Sequence, residues 1–184
     1  MDIWTSLGRF ASFETERLIL RPVTFSDADD FWQISSKPEN LRFIFPVLLD
    51  RQESDRILVH QFMKEPLGIW AIADKQNDRM IGVIRLEKIN STEKTAEIGY
   101  FLNQSYWGQG YMTECLKNLV FLLFYELEMN HLTLLTHLEN VASQKVAQKA
   151  GFQLEKQYRG SDRHTRKVQA YYAFGLSRKD YRYE

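Results

Sequence analysis

The chain has a single cysteine, Cys115, in 184 residues. One thiol excludes an intramolecular disulfide and any cysteine-cluster metal site. Its four histidines, His60, His131, His137 and His164, lie at no metal-ligand spacing, so no metal is expected. Neither sign of charge is in excess: Lys plus Arg number 24, Asp plus Glu number 24, and the formal net charge is zero. That balance removes the electrostatic case for nucleic acid or an anionic membrane surface as a partner. No apolar run approaches the roughly 20 residues that span a bilayer. Residues 1–12 carry no basic segment leading into an apolar run, so no signal peptide is expected and the cytoplasm is the expected compartment. Repeats, low-complexity tracts and Pro/Gly/Ser linkers are missing too.

What is present suits one domain over residues 1–184. The hydrophobic share is 44% and the aromatic share 14%, enough to fill a sizeable core. Arg17 to Arg21 reads as a strand closed by Pro22. Ser26 is placed to cap a helix with Asp27, Asp29 and Asp30 in its first turn, burying Ala28, Phe31, Trp32 and Ser35 and ending before Pro38. Asp50 and Glu53 have capping-box spacing and open a helix toward Lys64, with Ile57, Leu58, Gln61 and Phe62 facing inward. Ile69 to Ala73 and Met80 to Leu86 flank the polar turn Asp74 to Arg79, a hairpin signal, and Ala96 to Leu102 is a third strand. The apolar spacing of Met112, Leu116, Leu119, Leu123 and Leu127 predicts a buried helix from about Tyr111 to Leu127, with Cys115 as a small core residue. His131 to Leu138 reads as a strand, with His131 and His137 on one face in a packing or solvent role. Asn140 caps a helix Val141 to Ala150, which Gly151 ends. Phe152 to Arg159 and Val168 to Leu176 form the last two strands. The class is mixed α/β: a mostly antiparallel sheet with one crossover and about four helices.

The segment Tyr106-Trp107-Gly108-Gln109-Gly110-Tyr111 leads from a strand into the N-terminus of the long apolar helix. Helix N-termini present unpaired N–H groups and the positive end of the dipole, which suits phosphate oxygens. Glycines at 108 and 110 let the backbone turn and an anion approach. The loop lacks a Walker lysine and the spacing of a dinucleotide fingerprint. On its own, Gly-x-Gly serves equally as a turn of purely geometric purpose.

This loop, with Ala96-Glu97-Ile98-Gly99-Tyr100 before it and Asn140-Val141-Ala142-Ser143 and Gly151-Phe152 after it, resembles the GNAT N-acetyltransferase superfamily. The opening Thr15-Glu16-Arg17-Leu18-Ile19-Leu20-Arg21-Pro22, followed by Ser26-Asp27-Ala28, is similar to the branch containing the ribosomal-protein alanine N-acetyltransferases. The resemblance runs from about Glu14 to Tyr181. It implies a sheet split between the parallel strands at Ala96 to Leu102 and His131 to Leu138. It also implies acetyl-CoA as co-substrate, with its pantetheine arm against Tyr100, Phe101 and Leu102 and its pyrophosphate on the amides of Trp107, Gly108, Gln109, Gly110, Tyr111 and Met112. The superfamily prefers Gln or Arg three residues before the first glycine; here that position is Ser105.

Acetyl transfer to an amine needs a neutral nitrogen, an oxyanion stabiliser and a proton for the departing thiolate. Glu97 is the candidate base, because its apolar neighbours Ala96 and Ile98 promise a setting that favours proton uptake. A structural or substrate-orienting Glu97 is the equal alternative. A backbone N–H near Phe101 is the expected oxyanion donor. As in many members of the family, the resemblance implies a tyrosine as thiolate acid four residues before Gly151, where this chain has Ala147. Ser143 matches the serine that the resemblance to the ribosomal-protein branch implies as the acid, though serine also favours a helix's first turn for its own sake. Asn140 is expected both to cap its helix and to contact the pantetheine arm. Lys156, Arg159, Arg163, His164, Arg166 and Lys167 form a basic loop, either simply solvated or in contact with an acidic partner or the adenosine 3′-phosphate.

The resemblance thus implies an N-acetyltransferase acting in a ternary complex on a peptide or protein N-terminus, with a ribosomal protein as the partner the branch suggests and a monomer or homodimer as the assembly. A small-molecule amine (amino acid, polyamine or antibiotic) is the alternative acceptor, and a non-catalytic acyl-CoA sensor the alternative class.

Overall fold

A computed structural model describes residues 1–162 and 165–183. Strands β1 (Phe13–Glu14), β2 (Leu18–Arg21), β3 (Ile69–Asp74), β4 (Met80–Asn90), β5 (Thr95–Leu102), β6 (His131–His137), β7 (Gln153–Ser161) and β8 (Val168–Ser177) are hydrogen-bonded in the order β1-β2-β3-β4-β5-β6-β8-β7. Six α-helices accompany them among the described residues: α1 (Ile3–Arg9), α2 (Ala28–Ser35), α3 (Pro38–Leu41), α4 (Arg51–Ile57), α5 (Tyr111–Tyr125) and α6 (Val141–Lys149). The expected mixed α/β class is the one found, with two more helices than the sequence pattern indicated.

The chain folds as two compact units, one built from Ile3–Arg85 with Tyr100–Tyr111 and the other from Leu86–Gly99 with Met112 onward. Strands β4 and β5 contribute residues to both. In the first unit β2 pairs antiparallel with β1 and β3, and β3 with β4. One side is filled by Val23, Ala28, Phe31, Ile34, Leu41, Leu58, Phe62, Ala71, Met80, Val83 and Phe101. At the centre of this cluster, Phe101 meets Phe31, Phe45 and Phe62 with ring centroids 6.3, 6.0 and 5.8 Å apart. Each buried ring contributes about 1.5–3 kcal/mol by leaving water.

Several local expectations shift here. Asp27, not Ser26, organises the start of α2: its carboxylate accepts from the Thr24 N–H at 2.9 Å and pairs with Arg21 at 2.8 Å. A 3-10 turn, Phe25–Asp27, precedes the helix, which buries Ala28, Phe31 and Ser35 as expected, adds Ile34, and leaves Trp32 only half-buried. The helix opened by Asp50 runs only to Ile57 and continues as a π-helix, Leu58–Met63. That wider turn leaves Gln61 exposed, while Ser54 turns inward to meet Ser35 Oγ at 2.9 Å. The Asp50 carboxylate does cap, accepting from the Gln52 N–H at 2.9 Å.

In the second unit β5 and β6 are parallel, as a strand–helix–strand crossover through α5 requires. Their ladder covers Thr95–Ile98 against His131–Leu134, although β5 continues to Leu102 and β6 to His137. β8 inserts antiparallel between β6 and β7. Helix α5 buries Met112, Cys115, Leu116, Leu119, Val120, Leu122, Leu123 and Phe124, the wide stripe its spacing predicted. No helix among the described residues is long and apolar enough to cross a membrane.

Candidate functional site

The glycine loop belongs to the first unit, and four separate segments of that unit hold it. As β5 ends, the Asn103 N–H donates to Ile81 O at 2.7 Å, and Asn103 Oδ1 accepts from the Ser105 N–H at 3.0 Å, capping a short 3-10 turn, Gln104–Tyr106. From α3, buried Asn40 accepts the Gln104 N–H at 2.6 Å and donates to Ile34 O at 3.1 Å. Trp107 folds its indole back, Nε1 donating to Leu102 O at 2.8 Å, while its backbone N–H is committed to Gln104 O at 3.0 Å. Arg17 arrives from the turn before β2: Nη1 donates to Gln109 O at 3.0 Å, and the guanidinium lies 4.0 Å over the Tyr111 ring.

Gly108 and Gly110 have φ of 72° and 81°. A Cβ on Gly108 would meet nothing within 4 Å, so backbone conformation rather than lack of room calls for glycine there. Residues 107–110 are exposed and run directly into α5, whose first amides have no partner within the helix. The loop is therefore pinned from behind and open in front, a cradle that fits a phosphate group.

Of the strand residues expected against a pantetheine arm, Phe101 and Leu102 are buried and Tyr100 half-buried. Behind them β4 approaches so closely that a Cβ on Gly82 would collide with the Phe101 carbonyl. Gly82 was legible as a strand glycine but carried no signal of its target.

The second unit holds the proposed acid–base residues. The apolar setting expected for Glu97 is not what its strand supplies: Lys88 Nζ of β4 lies 2.8 Å from Glu97 Oε2, and the Glu97 side chain keeps 14% exposure. Two strands place the pair side by side, and Glu97 alternates with buried Ala96 and Ile98 so that it faces the other way. Burial, and behind it the Glu97 charge, holds the Tyr158 phenol above its ordinary value. Tyr158 stacks on Tyr171 at 5.7 Å. Asn140 is the N-cap of α6, its Oδ1 accepting from the Ser143 N–H at 3.2 Å, and Ser143 sits half-buried in the first turn. Gly151 has φ 94°, the left-handed value that stops this helix.

His137 Nδ1 accepts from the Glu139 N–H at 3.1 Å, which leaves Nε2 to donate to Gln169 Oε1 at 2.9 Å. His131 pairs with Glu155 at 3.3 Å. Cys115 is fully buried, and burial pushes its thiol well up. Lys156, Arg159, Arg166 and Lys167 are exposed; Arg163 and His164 lie outside the described residues. Among the described residues no group of three or more His, Cys, Asp or Glu is placed to hold a metal. Arg17 and Asn40 carry no sequence signal of their role, since their partners lie 92 and 64 residues away, and Lys88 carries none because its pairing with Glu97 depends on strand register.

Against known proteins, residues 17–153 match the family model described as an acetyltransferase (GNAT) domain. The chain is 30% identical over 171 residues to the uncharacterized N-acetyltransferase p20 of Bacillus licheniformis, covering 91% of this chain and 96% of that one. It is 36% identical over 80 residues to the ribosomal-protein-serine acetyltransferase of Escherichia coli (strain K12), covering 44% of this chain and 45% of that one. Its fold is similar to that of the microcin C7 self immunity acetyltransferase MccE, whose structure is in complex with acetyl-CoA and AMP: TM-score 0.76, 17% identity, 88% of this chain and 93% of that one.

Proposed function

Because this chain belongs to the GNAT acetyltransferase family and is thereby an acyltransferase, we propose that it transfers an acetyl group from acetyl-CoA to the N-terminal amine of a peptide or protein, working as one catalytic domain. The observation carrying this reading is the exposed loop Gly108–Gly110 at the head of α5, pinned behind by Asn40 and Arg17, with both glycines at positive φ. Its likeness to a ribosomal-protein-serine acetyltransferase supports a protein as the acceptor.

Acetyl-CoA supplies the activated acyl group. The amides of Gly108 to Met112 bind its pyrophosphate, with the Trp107 amide excluded because it already serves the loop. Tyr100, Phe101 and Leu102 offer backbone groups to the pantetheine arm, and the Asn140 carboxamide, its oxygen occupied by the cap, donates through Nδ2. Glu97, paired with Lys88, orients the acceptor amine and takes its proton. Ser143 relays a proton to the departing sulfur, its hydroxyl taking one in turn from water or from the attacking amine.

Mass spectrometry of short peptides, free amino acids, polyamines and aminoglycosides incubated with enzyme and acetyl-CoA tests the reading. Acetylation of peptide N-termini supports it. Acetylation confined to small amines would move the acceptor class, and coenzyme A binding without turnover would leave a sensor.

A further inference from the structure

Between Gln104 and Tyr111 the loop contains no basic side chain, and the first turn of α5 adds an acid, Glu114. A pyrophosphate carries negative charge, and helix-end amides alone supply only partial positive charge to meet it. The structure brings a guanidinium from 92 residues earlier in the chain. Arg17 does not wander there. It sits in a turn locked on both sides: the Leu18 N–H donates to Thr15 Oγ1 at 3.1 Å, the Thr15 N–H to Leu18 O at 2.9 Å, and the Lys75 N–H to Arg17 O at 2.9 Å. From that base its side chain spans to Gln109 O and lies flat over Tyr111, whose ring is held edge-on by Tyr106 at 5.7 Å. A Cβ on Gly110 would sit 3.5 Å from Arg17 Nη2, so the guanidinium lies on the side of Gly110 that a side chain would occupy.

We propose that Arg17 is the positioning residue of the phosphate loop. In a trans peptide the C=O and N–H point in opposite directions, and no cis bond occurs here. Holding the Gln109 carbonyl on one side therefore aims the Gly110 N–H to the other, away from Arg17 and outward to the anion. Without that hold, the Gln109–Gly110 peptide, with a glycine on one side, would turn more easily, and each binding event would have to order it. This assignment rests on the pyrophosphate reading above and names what makes the loop competent.

Calorimetric titration of wild type, Arg17→Lys and Arg17→Ala with coenzyme A and with pantetheine, which lacks the pyrophosphate, separates the two. A loop that must be ordered at each binding event should weaken coenzyme A binding about tenfold in Arg17→Ala. Pantetheine affinity should stay as in wild type, while the melting temperature falls by about 2–4 °C for each kcal/mol of lost folded-state contact. Arg17→Lys keeps a donor but not the flat fork, and should fall between. If wild type prefers coenzyme A and Arg17→Ala keeps that preference, or if the variant loses both ligands equally, the assignment to Arg17 is overturned. If wild type binds both ligands alike, the pyrophosphate reading itself fails and takes this proposal with it.

Discussion

Asn40→Ala should weaken both the fold and the phosphate loop. The side chain is 3% exposed and bridges two elements: Oδ1 receives the Gln104 N–H at 2.6 Å, and Nδ2 donates to Ile34 O at 3.1 Å. The Ile34 carbonyl also accepts from the Ser36 and Lys37 amides, so its loss is partly covered. The Gln104 amide is otherwise left to find water at the edge of the turn. An unsatisfied partner costs about 1–3 kcal/mol, and with one of two partners covered the middle of that range, about 2 kcal/mol, is expected. For a chain of this size each kcal/mol shifts Tm by about 2–4 °C, giving a fall of about 4–8 °C. Urea melts with and without coenzyme A read both consequences. The stabilisation given by a fixed excess of coenzyme A should shrink in the variant, because a slack loop binds more weakly. A stability loss under about 0.5 kcal/mol, the ordinary range for an inconsequential surface change, together with unchanged coenzyme A stabilisation, would refute the reasoning.

Glu97→Gln should keep coenzyme A affinity and lower turnover about 10²–10⁴-fold, most visibly at low pH where the acceptor amine is protonated; an unchanged pH–rate profile would make Glu97 structural. Ser143→Ala should lower turnover near the bottom of that range of about 10²–10⁴-fold, since water partly replaces the hydroxyl, and Ser143→Cys should recover some of it; full activity in the alanine variant sinks the role. The phenols of Tyr158, Tyr171 and Tyr181 are all raised from 10.0, with burial the largest cause. A raised folded-state value means their stabilising contribution is complete below about pH 10 and lost as pH rises through the higher values in the fold. Denaturant melts should therefore show stability falling from about pH 10 upward, with Tyr→Phe variants flattening the slope, and identical slopes in those variants would contradict it.

Local physics made part of this protein readable from its residues. The strands β3 to β6, the apolar stripe of α5, the Asn140 cap and the Gly151 stop all follow from periodicity, capping and φ preference, each decided within a few residues. The glycine loop was visible for the same reason: Gly108 and Gly110 needed positive φ, and their place before an apolar helix could be counted off the chain. The short helices α1 and α3 were not visible, because a few residues carry too little periodicity to distinguish them from a turn. Neither was the π-helix at Leu58–Met63, which changes which side of a helix points inward without changing its composition. What only the tertiary structure decided is how the loop is held and what stands beside the candidate base. Arg17 reaches Gln109, Asn40 reaches Gln104, and Lys88 reaches Glu97 across turns and strand pairings. A polar side chain can make such a contact with any complementary group brought near it. Sequence gives its chemistry, and the partner is chosen by which backbones the hydrophobic core has already brought together.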